Sequence, residues 1–97
     1  MPSVIITPNA REGLERCREF LADVAPGSEQ KAFQVVSGAL RALERFPDAG
    51  KRDEVDQDLR ELVIPFGGSG YVALYHYEEI SDQIIILAFR HQKEVGY

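Results

Sequence analysis

Hydrophobic and polar positions along the chain change period twice, and each change marks an element boundary. Ser3-Val4-Ile5-Ile6-Thr7 is a short β-branched run closed by Pro8, which reads as a strand giving way to a helix. Thr7 before Pro8 suits an N-cap with proline at the first helical position. Asn9 with Glu12 three residues on offers a competing capping box, so the start is open by two residues. Ala10, Leu14, Cys17, Leu21 and Val24 then recur at steps of three and four and share one helix face, until Ala25-Pro26-Gly27 ends the run. Ser28 can cap a second helix whose apolar set is Ala32, Val35 or Val36, Ala39, Leu40 and Leu43, ending at Phe46-Pro47. Two such helices with a short connection predict an antiparallel hairpin.

Neither helical stripe is wide enough to be covered by the other alone, which calls for a sheet beneath them. The second half supplies it. Leu59 to Ile64 reads as a strand broken at Pro65, and Phe66-Gly67-Gly68-Ser69-Gly70 as a turn rich in residues that tolerate positive φ. Tyr71 to Tyr77 is a further strand. After a turn at Glu78 to Asp82, Gln83-Ile84-Ile85-Ile86-Leu87-Ala88-Phe89 is almost wholly apolar, as a strand central in a sheet or buried on both faces would be. The predicted fold is α+β with the order β-α-α-β-β-β: a helix hairpin on a four-stranded, mainly antiparallel sheet, with the first strand at an edge.

Size and composition agree with one domain over residues 1–97, at 44% hydrophobic and 28% charged residues. A chain this short buries only about 60 to 65% of its unfolded surface, so its core is thin and a bound partner can add stability. Cys17 is the single cysteine, which excludes an internal disulfide and the usual cysteine-based zinc clusters. No basic-then-apolar leader opens the chain and no apolar run approaches the ~20 residues that cross a bilayer, so the expected compartment is the cytoplasm, with no membrane partner. A net charge of −5 argues against broad phosphate-driven nucleic-acid binding, although local basic patches remain compatible with it. The mixed-charge stretch from Lys51 to Glu61 reads as a solvated connector.

Three constellations invite chemistry. Gly67-Gly68-Ser69-Gly70 could cradle an anion, but it lacks the lysine and the following helix of a phosphate loop, so a hairpin turn is the better reading. His76 and His91 have no second histidine or carboxylate at metal-ligand spacing, and no metal or cofactor is expected. The chain's last residues are more suggestive: Arg90, His91, Lys93 and Tyr97 could grip a phosphate and supply a general acid or base.

Arg60-Glu61-Leu62, the Ser69-Gly70-Tyr71 lead into a strand, Tyr75-His76-Tyr77 and Ile84 through His91, behind two helices, together resemble the RelE/ParE superfamily of toxins from type II toxin-antitoxin systems. The resemblance spans nearly the whole chain in element order, with its specific motif confined to Arg60 through Tyr97. It implies a role in plasmid stabilisation and a cognate antitoxin, in a toxin-antitoxin hetero-oligomer. RelE-like members cleave messenger RNA on the ribosome with basic side chains on central strands and a later arginine and tyrosine. Here the two lysine positions are Val63 and Pro65, the arginine after Tyr71 is Val72, and only Arg90 and Tyr97 could stand in for the later pair. Single electrostatic groups contribute roughly 2.7 to 4 kcal/mol to such a transition state, so losing three cations weakens the ribonuclease reading. ParE-like members act by binding DNA gyrase, and the apolar strand ending in Arg90-His91 looks more like that branch. Arg60, Arg90, His91 and Tyr97 are then the expected target contacts, without enzymatic activity. Ribosome-dependent cleavage of messenger RNA, with His91 and Lys93 replacing the lost lysines, is the alternative, and a binding module without toxicity is a third reading. Many toxins of the superfamily are basic; this acidic chain implies hydrophobic docking of its antitoxin.

Overall fold

The computed structural model describes residues 2–94. Its elements are β1 (Ser3–Ile6), α1 (Pro8–Val24), α2 (Glu29–Ala42), β2 (Lys51–Arg52), β3 (Arg60–Phe66), β4 (Ser69–Glu78) and β5 (Gln83–His91), in a sheet ordered β1-β5-β4-β3-β2. The α+β class and the order of helices and long strands are as expected, and β1 lies at an edge, parallel to β5. The sheet has five strands rather than four. The stretch read as a plain connector contributes β2, where Lys51 and Arg52 pair with Glu61 and Arg60. Around them Asp53 Oδ2 accepts the amides of Val55 and Asp56, a local turn that a string of mixed charges conceals.

The helix starts are decided by side-chain oxygens. Thr7 Oγ1 accepts from the Ala10 amide and donates to the Ile86 carbonyl, so Thr7 is the N-cap with Pro8 behind it. Asn9 is committed elsewhere: its Nδ2 donates to Leu87 O at 2.9 Å. That carbonyl sits at an irregularity in β5, where Leu74 faces Ala88 but Tyr75 faces Ile86, leaving Leu87 the extra residue of a bulge. Ser28 occupies the N-cap of α2 without a side-chain cap bond, and Glu29 Oε1 instead accepts the Gly27 amide at the turn, where Gly27 has φ 92°.

Strand β3 runs through Pro65 to Phe66 instead of breaking before it. Among the described residues no strand pairs with the outer side of β3 beyond Glu61, and an edge is where a residue without an amide proton fits. Gly67 and Gly68 alone form the β3–β4 turn, with Gly67 at φ 60°. Helix α1 lies along β5: Gly13 brings the helix backbone onto the strand, and Ala10 and Cys17 bury beside it. Val36 and Leu40 of α2, with its C-cap Leu43, pack against the sheet through Ile64, Tyr75 and their neighbours. The two helices meet each other less closely than α1 meets β5. A cleft of about 390 Å³ opens between them, floored by Leu14, Val36 and Leu40 and edged by the exposed ring of Phe33.

Candidate functional site

The end of β5 and the turn after it form a tightly bonded unit with the β3–β4 hairpin and α1. Tyr71 of β4 faces His91 of β5, and their rings meet edge-on at 5.7 Å. His91 Nδ1 accepts the Lys93 amide at 3.1 Å, which leaves the proton on Nε2 to be donated to Ser69 Oγ at 3.0 Å. Both ring nitrogens are therefore engaged within the fold. Arg90 Nη1 donates to the carbonyls of His91, Gln92 and Glu94 at 2.9 to 3.2 Å, so its guanidinium closes the turn. Glu94 returns the chain to α1: one carboxylate oxygen pairs with Arg16 at 2.9 Å and the other accepts the His91 amide. Burial acts to raise the Glu94 pKa, but the bonds from Arg16 and the His91 amide outweigh it and hold the carboxyl below its ordinary value. Lys93 stands exposed at the tip of the turn.

Cys17 lies beneath this turn, its Sγ 3.9 Å from Glu94, and burial together with that carboxylate pushes the thiol up to about 11. Such a thiol is a packing group rather than a nucleophile. The spacing of Cys17 on the α1 stripe already placed it in the core; its contact with Glu94 joins residues 77 apart and had no local signal.

Arg60 is elsewhere. It faces Tyr75, four residues further along β4 than the Tyr71–His91 pair, or about 13 Å at strand rise. There Arg60 Nη1 donates to the Gly50 and Asp48 carbonyls, and Nη2 approaches the Asp48 carboxylate at 3.5 Å. Tyr75 completes this second cluster, donating its hydroxyl to Pro47 O at 2.7 Å and accepting the Gly50 amide. Thus Arg90, His91 and Lys93 form one group, Arg60 anchors the connector before β2, and Tyr97 lies outside the described residues. Of the three positions compared with the ribonuclease lysines and arginine, Val63 and Pro65 are exposed on β3 and Val72 is buried on β4. Among the described residues no three His, Cys, Asp or Glu side chains group as a metal site, and no helix is long and apolar enough to cross a membrane.

On the helix side of the turn is a larger groove, about 890 Å³, between the C-terminal half of α1, the start of α2 and the β3–β4 hairpin. Phe20, Val24 and Phe66 supply its apolar wall, and His91 and Lys93 close one end. Sequence reasoning did not find it. Phe20 falls outside the buried stripe of α1, and only the fold brings Lys31 and Lys93 to one rim.

Residues 4–96 match the family described as ParE toxin of type II toxin-antitoxin system, parDE. The chain belongs to the ParE toxin family. It is 33% identical over 94 residues to Toxin RelE3 of Caulobacter vibrioides, covering 97% of this chain and 98% of that one. Among solved structures, the chromosomal ParDE toxin-antitoxin system from P. aeruginosa is similar with a TM-score of 0.76 at 20% identity, over 94% of this chain and 96% of that one. The toxin-antitoxin complex RelBE2 from Mycobacterium tuberculosis is similar with a TM-score of 0.62 at 25% identity, over 95% and 100%. Relatives from both branches thus share the scaffold, and membership in the RelE/ParE superfamily agrees with the motif carried by Arg60 through Tyr97.

Proposed function

We propose that this ParE-family chain is a toxin that acts by protein–protein contact, with DNA gyrase as its target and a cognate antitoxin as its neutralising partner. The observation that carries the reading is the commitment of Arg90 and His91 to the fold. Arg90 Nη1 is held by three backbone carbonyls and both nitrogens of His91 are bonded within the fold, an arrangement that favours a structural role for the pair over binding a scissile phosphate or shuttling its proton. Arg60 stands too far along the sheet to join them, and Val63, Pro65 and Val72 add no charge. The turn instead offers the exposed Gln92 and Lys93 for contact. Gyrase is the target that the resemblance to ParE-like members implies, and the match to the ParE toxin family supports choosing that branch.

An antitoxin fits the cleft between α1 and α2. Its floor is apolar, Phe33 projects from its edge, and an amphipathic partner helix would bury both. The solved relatives named as toxin-antitoxin systems and complexes support such a hetero-oligomer. Supercoiling and cleaved-complex assays with purified protein and gyrase test the target. The expected result is lost supercoiling with trapped DNA breaks, and normal supercoiling without breaks at high toxin excess overturns it. New A-site cleavages mapped by primer extension after induction would transfer the assignment to the ribosome.

A further inference from the structure

The groove beside the β3–β4 hairpin is chemically unlike the rest of the molecule. The whole chain carries −5, yet the described rim of this groove holds three cations, Arg16, Lys31 and Lys93, against one carboxylate, Glu94. That carboxylate is already paired with Arg16. Lys31 and Lys93 are exposed and approach the groove from opposite elements, the first turn of α2 and the turn after β5. Between them the wall is apolar. Phe20 and Val24 of α1 keep 56% and 60% of their surface exposed, although Cys17 and Leu21 on the same helix turn inward.

We propose that this groove binds an extended segment of the toxin's target protein in which carboxylates alternate with aromatic or aliphatic side chains. The carboxylates would meet Lys31 and Lys93, and the apolar side chains would cover Phe20, Val24 and Phe66. Charge complementarity selects the acidic partner, because on a chain of net charge −5 this rim is cationic and attracts anions over a Debye length of about 10 Å. The same balance disfavours nucleic acid, whose backbone needs a run of cations rather than two. This groove adjoins the α1–α2 cleft assigned to the antitoxin, sharing Cys17, Leu21 and Tyr71 with it, but the contacts proposed here are its own: Phe20, Val24, Lys31 and Lys93 line only the groove, and Leu14, Arg18 and Phe33 only the cleft. The target assignment rests on the reading of the chain as an active toxin; the peptide chemistry does not.

The test is amide chemical-shift mapping of the ¹⁵N-labelled full chain with a capped hexapeptide alternating aspartate and phenylalanine. Saturable shifts are expected along residues 16–24, at Lys31, across 67–70 and at Lys93. Binding should weaken at least tenfold in the Lys31→Glu/Lys93→Glu double variant, whose exposed positions leave the remaining spectrum in place. Equal binding of the lysine-for-aspartate peptide, stronger binding of a thymidine hexanucleotide, or no shifts in the groove overturns the proposal. The source is decided in cells. Expression of Phe20→Ala/Lys31→Glu/Lys93→Glu should no longer arrest growth, and arrest equal to wild type would remove the target from the groove. If the wild-type chain itself fails to arrest growth, the toxin reading and the target assignment fail together, while the peptide mapping still decides whether the groove binds an acidic segment.

Discussion

Two glycines on the helices answer opposite demands. At Gly13 a methyl group would fall on the Phe89 carbonyl oxygen, so α1 reaches β5 only because the side chain is absent. Gly13→Ala is expected to destabilise by about 1–3 kcal/mol through overpacking, despite alanine's better helix propensity. At Gly38, in α2, the added methyl meets nothing within 4 Å, and Gly38→Ala should stabilise by about 0.5–1 kcal/mol. Urea denaturation of the pair separates the two cases; equal shifts of one sign would contradict the packing of α1 on β5. Leucines divide in the same way. Leu40 is buried among Val36, Leu43 and Ile64, whereas Leu87 is the half-exposed extra residue of the β5 bulge. Leu40→Asp should unfold the chain, an unpaired core charge costing several kcal/mol against a total of about 5–15, while Leu87→Asp should retain a cooperative melt followed by circular dichroism.

At the scale of elements, apolar spacing made α1, α2 and the three long strands legible, while proline marked the start of α1 but misplaced the end of β3. These elements involve many residues repeating one local rule. What stayed hidden depends on single long-range bonds. The bulge at Leu87 needs Asn9 to receive its carbonyl, and β2 needs Arg60 and Tyr75 to seat the connector. Within the site, the grouping of Arg90, His91 and Lys93 followed from adjacency. Ser69, the partner of His91, and Arg16, the partner of Glu94, could be placed only by the hairpin register and by α1 crossing β5. Tyr75 offers a direct check on the connector. Its buried hydroxyl joins Pro47 to Gly50, so Tyr75→Phe leaves two backbone groups without that partner and should cost about 1–3 kcal/mol. Hydrogen exchange should quicken first around residues 47–53. Uniform acceleration across all strands would show instead that Tyr75 matters only as core volume.

For the whole molecule, charge enters stability and binding differently. His76 Nδ1 bonds the Asp58 carbonyl, which with Glu78 raises its pKa above the ordinary 6.5. The folded state then binds a proton more tightly than the unfolded chain, so this stabilisation is full below about pH 6.5 and fades as pH rises through the folded value. The site is partly exposed and the effect is at most about 1 kcal/mol. His76→Gln should therefore lower the melting temperature more at about pH 5.5 than at about pH 8.5; the reverse order would refute the assignment.

Association with the antitoxin should be governed by a different term. The cleft between α1 and α2 is floored by side chains without charge, and the ionic groups along its lips are mixed, Arg11 and Arg18 alternating with Glu15 and Glu29. Arg18 and Glu15 are already paired with one another, so a partner gains little by competing for either. Covering Phe33 and the cleft floor would supply the driving force, with burial on the order of 1,000 Å² or more and a clear rise in melting temperature. Because apolar burial is not screened by salt, affinity measured across a tenfold range of ionic strength should fall by less than about tenfold. A loss of two decades or more would place the antitoxin's acidic groups against Lys31 and Lys93, and the groove assigned to the target would then belong to the neutralising partner.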